Sequence, residues 1–137
     1  MIVDDNIFNI LALETILSNK NVGLTERALN GQEAVNLVQK RLDYYKSKPC
    51  TCTGRSTHRA DYQLIFMDCN MPVMDGFEAT RRILQMSPTA KIVTLTAYST
   101  EEFRSKCQEA GMLEFLTKPI NEEKLSQLLL DVGLAKV

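Results

Sequence analysis

Apolar residues along the chain recur at two different spacings. Short runs with consecutive or alternating apolar residues are typical of strands, whereas longer stretches with apolar residues three and four positions apart are typical of helices. The run from Tyr62 to Met67 is almost entirely apolar, as expected for a strand buried on both faces of a parallel sheet. The pattern predicts five strands, at residues 1–3, 24–28, 62–67, 91–96 and 114–117.

A helical stretch follows each predicted strand. The second helix is expected to end near Tyr45. Ser99 and Glu102 fit a capping box at the start of the fourth helix, which Gly111 ends. Asn121 can cap the fifth helix. The apolar positions of the five helices lie within residues 7–17, 34–42, 77–84, 103–110 and 125–132.

Strands that alternate with helices indicate a parallel sheet with right-handed crossovers and helices on both faces. In such a sheet, functional groups gather beyond the carboxyl ends of the strands. The polar residues that follow the predicted strands are Asp4, Asp5, Asp68, Thr96 and Lys118. We therefore expect these five side chains to converge at one edge of the sheet.

The three carboxylates in this set predict a cation. Carboxylates that are packed together repel one another unless a positive charge lies among them. Oxygen ligands with room for water suit a hard ion such as Mg²⁺, and Lys118 supplies a second positive charge. Each acid taken singly also has a simpler interpretation, as the N-cap of a helix. The joint occurrence of three acids, a hydroxyl and a lysine favours a shared site.

The residues at these positions resemble the response-regulator receiver domain, the phosphoacceptor module of two-component and phosphorelay signalling. The resemblance rests on Val3-Asp4-Asp5-Asn6, on the string from Met67 to Gly76, on Thr96-Ala97 and on Lys118-Pro119. The chain is most similar to the receivers of hybrid sensor histidine kinases. The resemblance implies one domain over residues 1–137 with a flavodoxin-like, doubly wound α/β fold. It has five parallel strands in the order 2-1-3-4-5 and five helices.

The resemblance also implies a role for each acid. Asp68 would accept a phosphoryl group from a histidine kinase or a histidine phosphotransfer protein. Asp5 and Asp68 would bind Mg²⁺ directly, together with the main-chain carbonyl of Asn70, and Asp4 would act through a bound water. The domain would thus assist its own phosphorylation and dephosphorylation, because phosphoryl transfer needs mainly positioning and charge neutralisation.

Lys118 and Thr96 would contact the phosphoryl oxygens. In receivers the hydroxyl moves toward the phosphate, and an aromatic three residues before the lysine, here Phe115, fills the vacated space. The face made by helix 4, strand 5 and helix 5 then changes. A plain core aromatic is the alternative interpretation of Phe115. The Lys118-Pro119 peptide bond is expected to be cis.

Three further residues near the acceptor have expected roles. Asn70 and Tyr98 would flank the path of an attacking water, and we hypothesise that the bulky Tyr98 slows hydrolysis of the acyl phosphate. Cys69 follows the acceptor directly, which invites a redox interpretation. Strand alternation turns it away from Asp68 and favours a small buried thiol instead.

Two segments depart from the receiver pattern. Only three apolar residues precede the acidic pair, so the first strand is expected to be short. The basic segment at about 43–60 is longer than the usual link to the third strand, and we predict a flexible insertion there. Its Cys50, Cys52 and His58 lack the fourth ligand of a zinc site. A basic docking surface for an acidic partner stays open.

Composition limits the classes of partner. The 137 residues suffice for one domain, and 16 basic against 17 acidic residues give a net charge of -1, which argues against direct nucleic-acid binding over the whole molecule. No apolar stretch approaches the ~20 residues that cross a bilayer, and a signal peptide is not apparent. We expect a cytoplasmic domain with reduced cysteines and no membrane contact of its own. Attachment of a longer parent protein to a membrane is compatible with this expectation.

Two other functions are weighed against the phosphoacceptor. One is a docking-only receiver that never turns over, against which the intact set of acid, Thr and Lys argues. The other is a phosphatase of the haloacid-dehalogenase type, which needs an acid where this chain has Asn70. A phosphorylation-dependent dimer stays open. The chain is either a stand-alone regulator or part of a hybrid histidine kinase, and we favour the second interpretation.

Overall fold

The structure is a computed structural model, and it describes residues 1–23, 25–47, 62–97 and 100–134. Within these residues the strands are β1 (Ile2–Val3), β2 (Arg27–Ala28), β3 (Ile65–Asp68), β4 (Ile92–Thr96) and β5 (Glu114–Thr117). The helices are α1 (Ile7–Asn19), α2 (Gly31–Ser47), α3 (Gly76–Met86), α4 (Glu101–Ala110) and α5 (Glu122–Asp131). All paired strands are parallel, in the order β2-β1-β3-β4-β5. The predicted fold and strand order are confirmed.

Two apolar layers cover the two faces of the sheet. Helices α1 and α5 pack on one face, where Phe66 of β3 meets Leu13 of α1 and Leu125 of α5 in one buried cluster. Helices α2, α3 and α4 pack on the other face, where Met67 of β3 lies with Ile83 of α3. Successive strand residues therefore alternate between two cores, which explains why the strands read as unbroken apolar runs.

Side-chain caps fix most of the helix starts. Asn6, Asp75 and Asn121 cap α1, α3 and α5, and each accepts a hydrogen bond from a main-chain N–H in the first turn of its helix. The N-cap of α4 is Thr100, whose hydroxyl accepts from the N–H of Phe103. The prediction of Ser99 as the cap is therefore wrong by one residue.

Three boundaries differ from the sequence prediction by two residues or more. β2 begins at Arg27 rather than at residue 24. β3 begins at Ile65 rather than Tyr62, because its pairing with β4 begins with Ile65 opposite Ile92. The Tyr62 hydroxyl donates to Glu26, and its ring lies under Arg41. α2 continues to Ser47 rather than ending near Tyr45, so residues 43–47 of the predicted insertion are helical. Residues 48–60 of that segment lie outside the described residues.

The first strand is short, as expected. β1 has two residues, yet it pairs with β2 on one side and β3 on the other. The described parts of the chain contain no helix long and apolar enough to cross a membrane.

Candidate functional site

Three carboxylates meet at the carboxyl edge of the sheet. Asp4 and Asp5 follow β1, and Asp68 is the last residue of β3, the neighbouring strand. One carboxylate oxygen from each lies within 4.8 Å of the others. Asp4 and Asp68 are buried, whereas Asp5 is exposed. The predicted convergence of the acids is confirmed.

Lys118 brings a positive charge to these acids. Its ammonium Nζ lies 3.0 Å from Oδ2 of Asp4 and 3.6 Å from Oδ2 of Asp68. The Lys118 main-chain N–H donates to the carbonyl of Thr96 at 2.7 Å, which ties the end of β5 to the end of β4. Thr96 itself is buried, and the Lys118-Pro119 peptide bond is cis, as predicted.

Asp68 has an unusual protonation equilibrium. Burial raises the pKa of its carboxyl to about 6 from 3.8. The ammonium of Lys118 and the N–H of Asn70 lower this pKa, whereas the charges of Asp4 and Asp5 raise it further. Burial and the neighbouring carboxylates thus raise the pKa of Asp68 by more than Lys118 and Asn70 lower it. Without a metal ion, the negative charge of the site is not fully balanced.

This excess charge fits a divalent cation. Two carboxylates are buried, one is open to solvent, and a single ammonium contacts two of the three acids. A small hard cation with carboxylate and water ligands satisfies such a donor set. Asp4, Asp5 and Asp68 are therefore the residues that could hold Mg²⁺.

The loop between β3 and α3 is held against Asp68. The Asn70 N–H donates to Oδ1 of Asp68 at 3.2 Å, and the Gly76 N–H donates to the carbonyl of Cys69 at 3.1 Å. A Cβ atom on Gly76 would lie 2.3 Å from the carbonyl oxygen of Asp68, so only glycine fits there. Val73, at the loop's outer turn, has φ 71° and is exposed.

Phe115 lies in the core layer that contains α4. Its ring is buried and packs between the guanidinium of Arg104, 4.8 Å from the ring centre, and the ammonium of Lys124, 5.5 Å from it. Phe103 of α4 lies 6.4 Å from it, centre to centre. The ring thus contacts both helices of the predicted switch face.

The remaining predicted site residues have different outcomes. Cys69 is buried in the layer opposite Phe66, and burial raises the pKa of its thiol, so the interpretation as a buried thiol is confirmed. Asn70 is exposed beside Asp68. Tyr98, and the Cys50, Cys52 and His58 considered for zinc, lie outside the described residues.

A family model decides the classification. The model described as the response regulator receiver domain matches residues 53–130, more than half of the chain. The chain belongs to this family. Of the residues predicted at the carboxyl edge of the sheet, the match includes Asp68, Thr96 and Lys118, whereas Asp4 and Asp5 precede it.

Curated relatives include both kinases and a regulator. The receiver is 34% identical over 130 residues to the osmosensing histidine protein kinase SLN1 of Saccharomyces cerevisiae. The aligned region covers 94% of this chain but 10% of that protein. It is 31% identical to two-component response regulator 24 of Arabidopsis thaliana, with 94% of this chain and 79% of that protein covered. The chain thus spans a small fraction of the kinases: 6% of hybrid signal transduction histidine kinase B of Dictyostelium discoideum, at 34% identity over 96% of this chain.

Solved receivers of histidine kinases share the fold. The receiver domain of the histidine kinase CKI1 from Arabidopsis thaliana, complexed with Mg²⁺, has a TM-score of 0.81 at 28% identity, with 96% of this chain and 88% of that chain covered. The receiver of the sensor kinase PA1611 from Pseudomonas aeruginosa has magnesium coordinated in its active-site cleft. It has a TM-score of 0.72 at 29% identity, with 96% and 94% covered.

Sequence reasoning missed residues that support the site from other elements. Asn30-Gly31 has the sequence of a turn, and Gly31 contacts the β3–α3 loop. Arg104 and Lys124 were not connected with Phe115. The dipeptide Asn-Gly marked a turn at residue 31, but no local signal indicated which loop it would meet.

Proposed function

We propose that the chain is a phosphoacceptor receiver, that Asp68 accepts the phosphoryl group, and that Mg²⁺ assists. The observation that carries this proposal is the buried Asp68 within 4.8 Å of the Asp4 and Asp5 carboxylates and 3.6 Å from the Lys118 ammonium. This set provides a nucleophile, a cation site and a fixed positive charge at one strand edge. The nucleophile would form the new bond to phosphorus, and the cation and the ammonium would stabilise the spreading charge of the phosphoryl group in transfer.

The site residues would have two roles, in binding the metal ion and in binding the phosphoryl group. Asp5, Asp68 and the main-chain carbonyl of Asn70 would hold Mg²⁺, with Asp4 acting through a bound water. The ion supplies neutralisation of phosphoryl oxygens. Lys118, now paired with Asp4 at 3.0 Å, would pair with a phosphoryl oxygen, and the Thr96 hydroxyl would hydrogen-bond to another.

The transfer itself is a displacement at phosphorus. An oxygen of the Asp68 carboxylate forms the new O–P bond as the N–P bond to the partner's histidine breaks, and the bonding electrons stay on the imidazole nitrogen. The pKa of Asp68, raised to about 6, leaves the carboxyl mostly ionised at neutral pH. The nucleophile is therefore available without a separate base.

The test uses a small phosphodonor such as acetyl phosphate with Mg²⁺ and reads incorporated phosphate by intact mass. We expect one phosphoryl group on the wild-type chain, none on Asp68→Asn and a normal level on Asp75→Asn, an acid of the same loop that caps α3. Incorporation that persists in Asp68→Asn would contradict the assignment. A wild-type chain without phosphate would favour the docking-only receiver.

Helix α1 offers a docking surface for the phosphodonor protein. Ile7, Phe8 and Leu11 are exposed by 38, 76 and 42%, and Glu14 is the one charged residue among the thirteen of the helix. An exposed apolar patch of this kind marks an interaction site. The patch begins two residues after Asp5, so a protein that brings a phosphohistidine to Asp68 would cover it. A histidine phosphotransfer protein or the parent's own kinase domain is the partner we propose.

The Phe8→Ser variant tests this surface. With a phosphorylated histidine phosphotransfer protein that labels the wild-type chain, we expect kcat/KM to fall about tenfold, as for loss of an apolar anchor. Labelling by acetyl phosphate should not change. The control is Leu113→Ser, which removes an exposed apolar residue from the opposite edge of the sheet. Equal transfer to Phe8→Ser and wild type would contradict the proposal.

Phosphorylation would be read out at the α4–β5–α5 face. The Phe115 ring contacts Arg104 of α4 and Lys124 of α5, so a movement of Thr96 that shifts the ring would disturb both helices.

We further propose that the chain is one receiver domain over residues 1–137 of a hybrid histidine kinase. Tyr98 as a brake on hydrolysis remains a prediction, which Tyr98→Ala tests by the decay rate of the phosphorylated chain.

A further inference from the structure

The turn between β2 and α2 presses against the loop that follows Asp68. The Gly31 N–H, at the first residue of α2, donates to the carbonyl oxygen of Met74 at 3.1 Å. The side chain of Asn30 accepts from the N–H of Glu33 at 2.9 Å and so fixes the start of the helix. Two loops that are distant in sequence are thereby joined by one main-chain hydrogen bond.

Space, and not backbone conformation, requires glycine at position 31. A Cβ atom there would lie 2.5 Å from the Met74 carbonyl oxygen, 3.1 Å from that of Asp75 and 3.0 Å from Cβ of Ala79. The described glycines with positive φ are Gly111 and Gly133, so Gly31 has angles that any residue adopts. The close approach of the loop therefore explains why a glycine is present at position 31.

The contacted loop is the one that carries the proposed metal ligand. Its near end is held by the Asn70 N–H on Asp68 and by the Gly76 N–H on the Cys69 carbonyl. Its outer turn closes on itself through the Met74 N–H, which donates to the Pro72 carbonyl at 2.8 Å. Gly31 then fixes that outer turn from another element. Displacement of Met74 would be transmitted along four residues to Asn70.

We infer that Gly31 is a positioning residue for the Mg²⁺ site. Its N–H and its missing side chain set the position of the β3–α3 loop, and through that loop the main-chain carbonyl of Asn70. Gly31 does not touch the cation or the phosphoryl group. The inference rests on the proposed Mg²⁺ site and adds an element, α2, that the carboxyl-edge residues do not include.

Mg²⁺ binding to the Gly31→Ala variant tests the inference. We expect the dissociation constant, measured by calorimetry on the metal-free chain well below its melting temperature, to rise about tenfold, as is common when support of a metal ligand is removed. The matched control is Gly23→Ala, because a Cβ at Gly23 meets nothing within 4 Å. A Gly31→Ala variant that melts earlier but binds Mg²⁺ as tightly as wild type would reduce Gly31 to a structural role and overturn the inference.

A second measurement needs no variant. In a Mg²⁺ titration of the wild-type chain followed by amide NMR, we expect the Gly31 amide to shift with the same dissociation constant as the Asn70 amide, while the Gly23 amide stays unchanged. A Gly31 amide that does not respond overturns the inference, even if Gly31→Ala fails to fold. If the wild-type chain binds no Mg²⁺ at all, the proposed metal site fails and the inference fails with it.

Discussion

Val73 stands out among single residues because its backbone is unfavourable for its side chain. Its φ of 71° lies in the left-handed region, and the side chain is 82% exposed. A β-branched residue is a rare outlier there, and the conformation costs about 1–2 kcal/mol for a residue other than glycine. Little buried contact offsets that cost, so Val73 stores strain in the loop that follows Asp68.

Val73→Asn should therefore raise the free energy of unfolding by about 1 kcal/mol, since Asn tolerates the left-handed region. Urea denaturation measures the change. Leu113→Asn is the control, because it also removes an exposed apolar side chain but at ordinary φ, and we expect a change within about 0.5 kcal/mol. An equal effect of the two substitutions would show that strain at Val73 is not the cause.

Individual site residues were largely predictable from the sequence. Asp4, Asp5, Asp68 and Lys118 meet because parallel strands end at one edge, and that rule needs only the position of each strand. The position of Gly31 against Met74 depends instead on how α2 packs on α3. No pattern within either segment records that contact.

At the scale of elements, the observed N-cap of α4 differs from the one that the sequence motif predicts. Ser99 with Glu102 fits the capping-box pattern, yet the Thr100 side chain accepts from the N–H of Phe103. Two neighbouring hydroxyl residues both suit an N-cap. Which of them caps is decided by the helix register that turns Phe103 and Cys107 toward the core, and this is a tertiary effect.

Thr100→Ala should lower the free energy of unfolding by about 1 kcal/mol, as for loss of an N-cap. Chemical denaturation of Thr100→Ala and Ser99→Ala side by side measures the difference. The motif would place the loss at Ser99 instead. A larger loss in Ser99→Ala than in Thr100→Ala would therefore contradict the cap seen in the structure.

The strands and helices themselves were predictable to within a few residues at most ends. Both cores are apolar along whole strands, so hydrophobic pattern alone located β4 and β5 closely. The exceptions are the starts of β2 at Arg27 and of β3 at Ile65, each three residues after the predicted start. The pairing with neighbouring strands decides where a strand begins, and an apolar run does not record that pairing.

For the whole molecule, cation binding and folding are linked. The acids come from two strands, so an unfolded chain has no preformed site, and Mg²⁺ at one hundred times its dissociation constant should raise the free energy of unfolding by about 2.7 kcal/mol. Thermal unfolding with Mg²⁺ and with a chelator measures the difference. Asp5→Asn should lose most of it, whereas Asp75→Asn should keep it. An equal gain in wild type and Asp5→Asn would contradict the metal site.

This gain should depend on pH in one direction. Burial raises the pKa of Asp68 to about 6 from 3.8. In metal-free protein, the favourable contribution of Asp68 to the free energy of unfolding is therefore present below pH 3.8 and lost as the pH rises through 6. Mg²⁺ must displace that proton, so its apparent affinity should fall by up to tenfold per pH unit below about 6. Melting curves from pH 5 to 8 test this. A Mg²⁺ gain that is constant over this range would contradict the raised pKa.

The acceptor site gathers its side chains from the ends of different strands, from Asp4 to Lys118. Lys118 is the last of them to leave the ribosome during synthesis. A growing chain therefore has the Asp68 carboxylate well before it has the Lys118 ammonium, and β5 must be added to the sheet before the two meet. The site can assemble only after synthesis has passed Lys118.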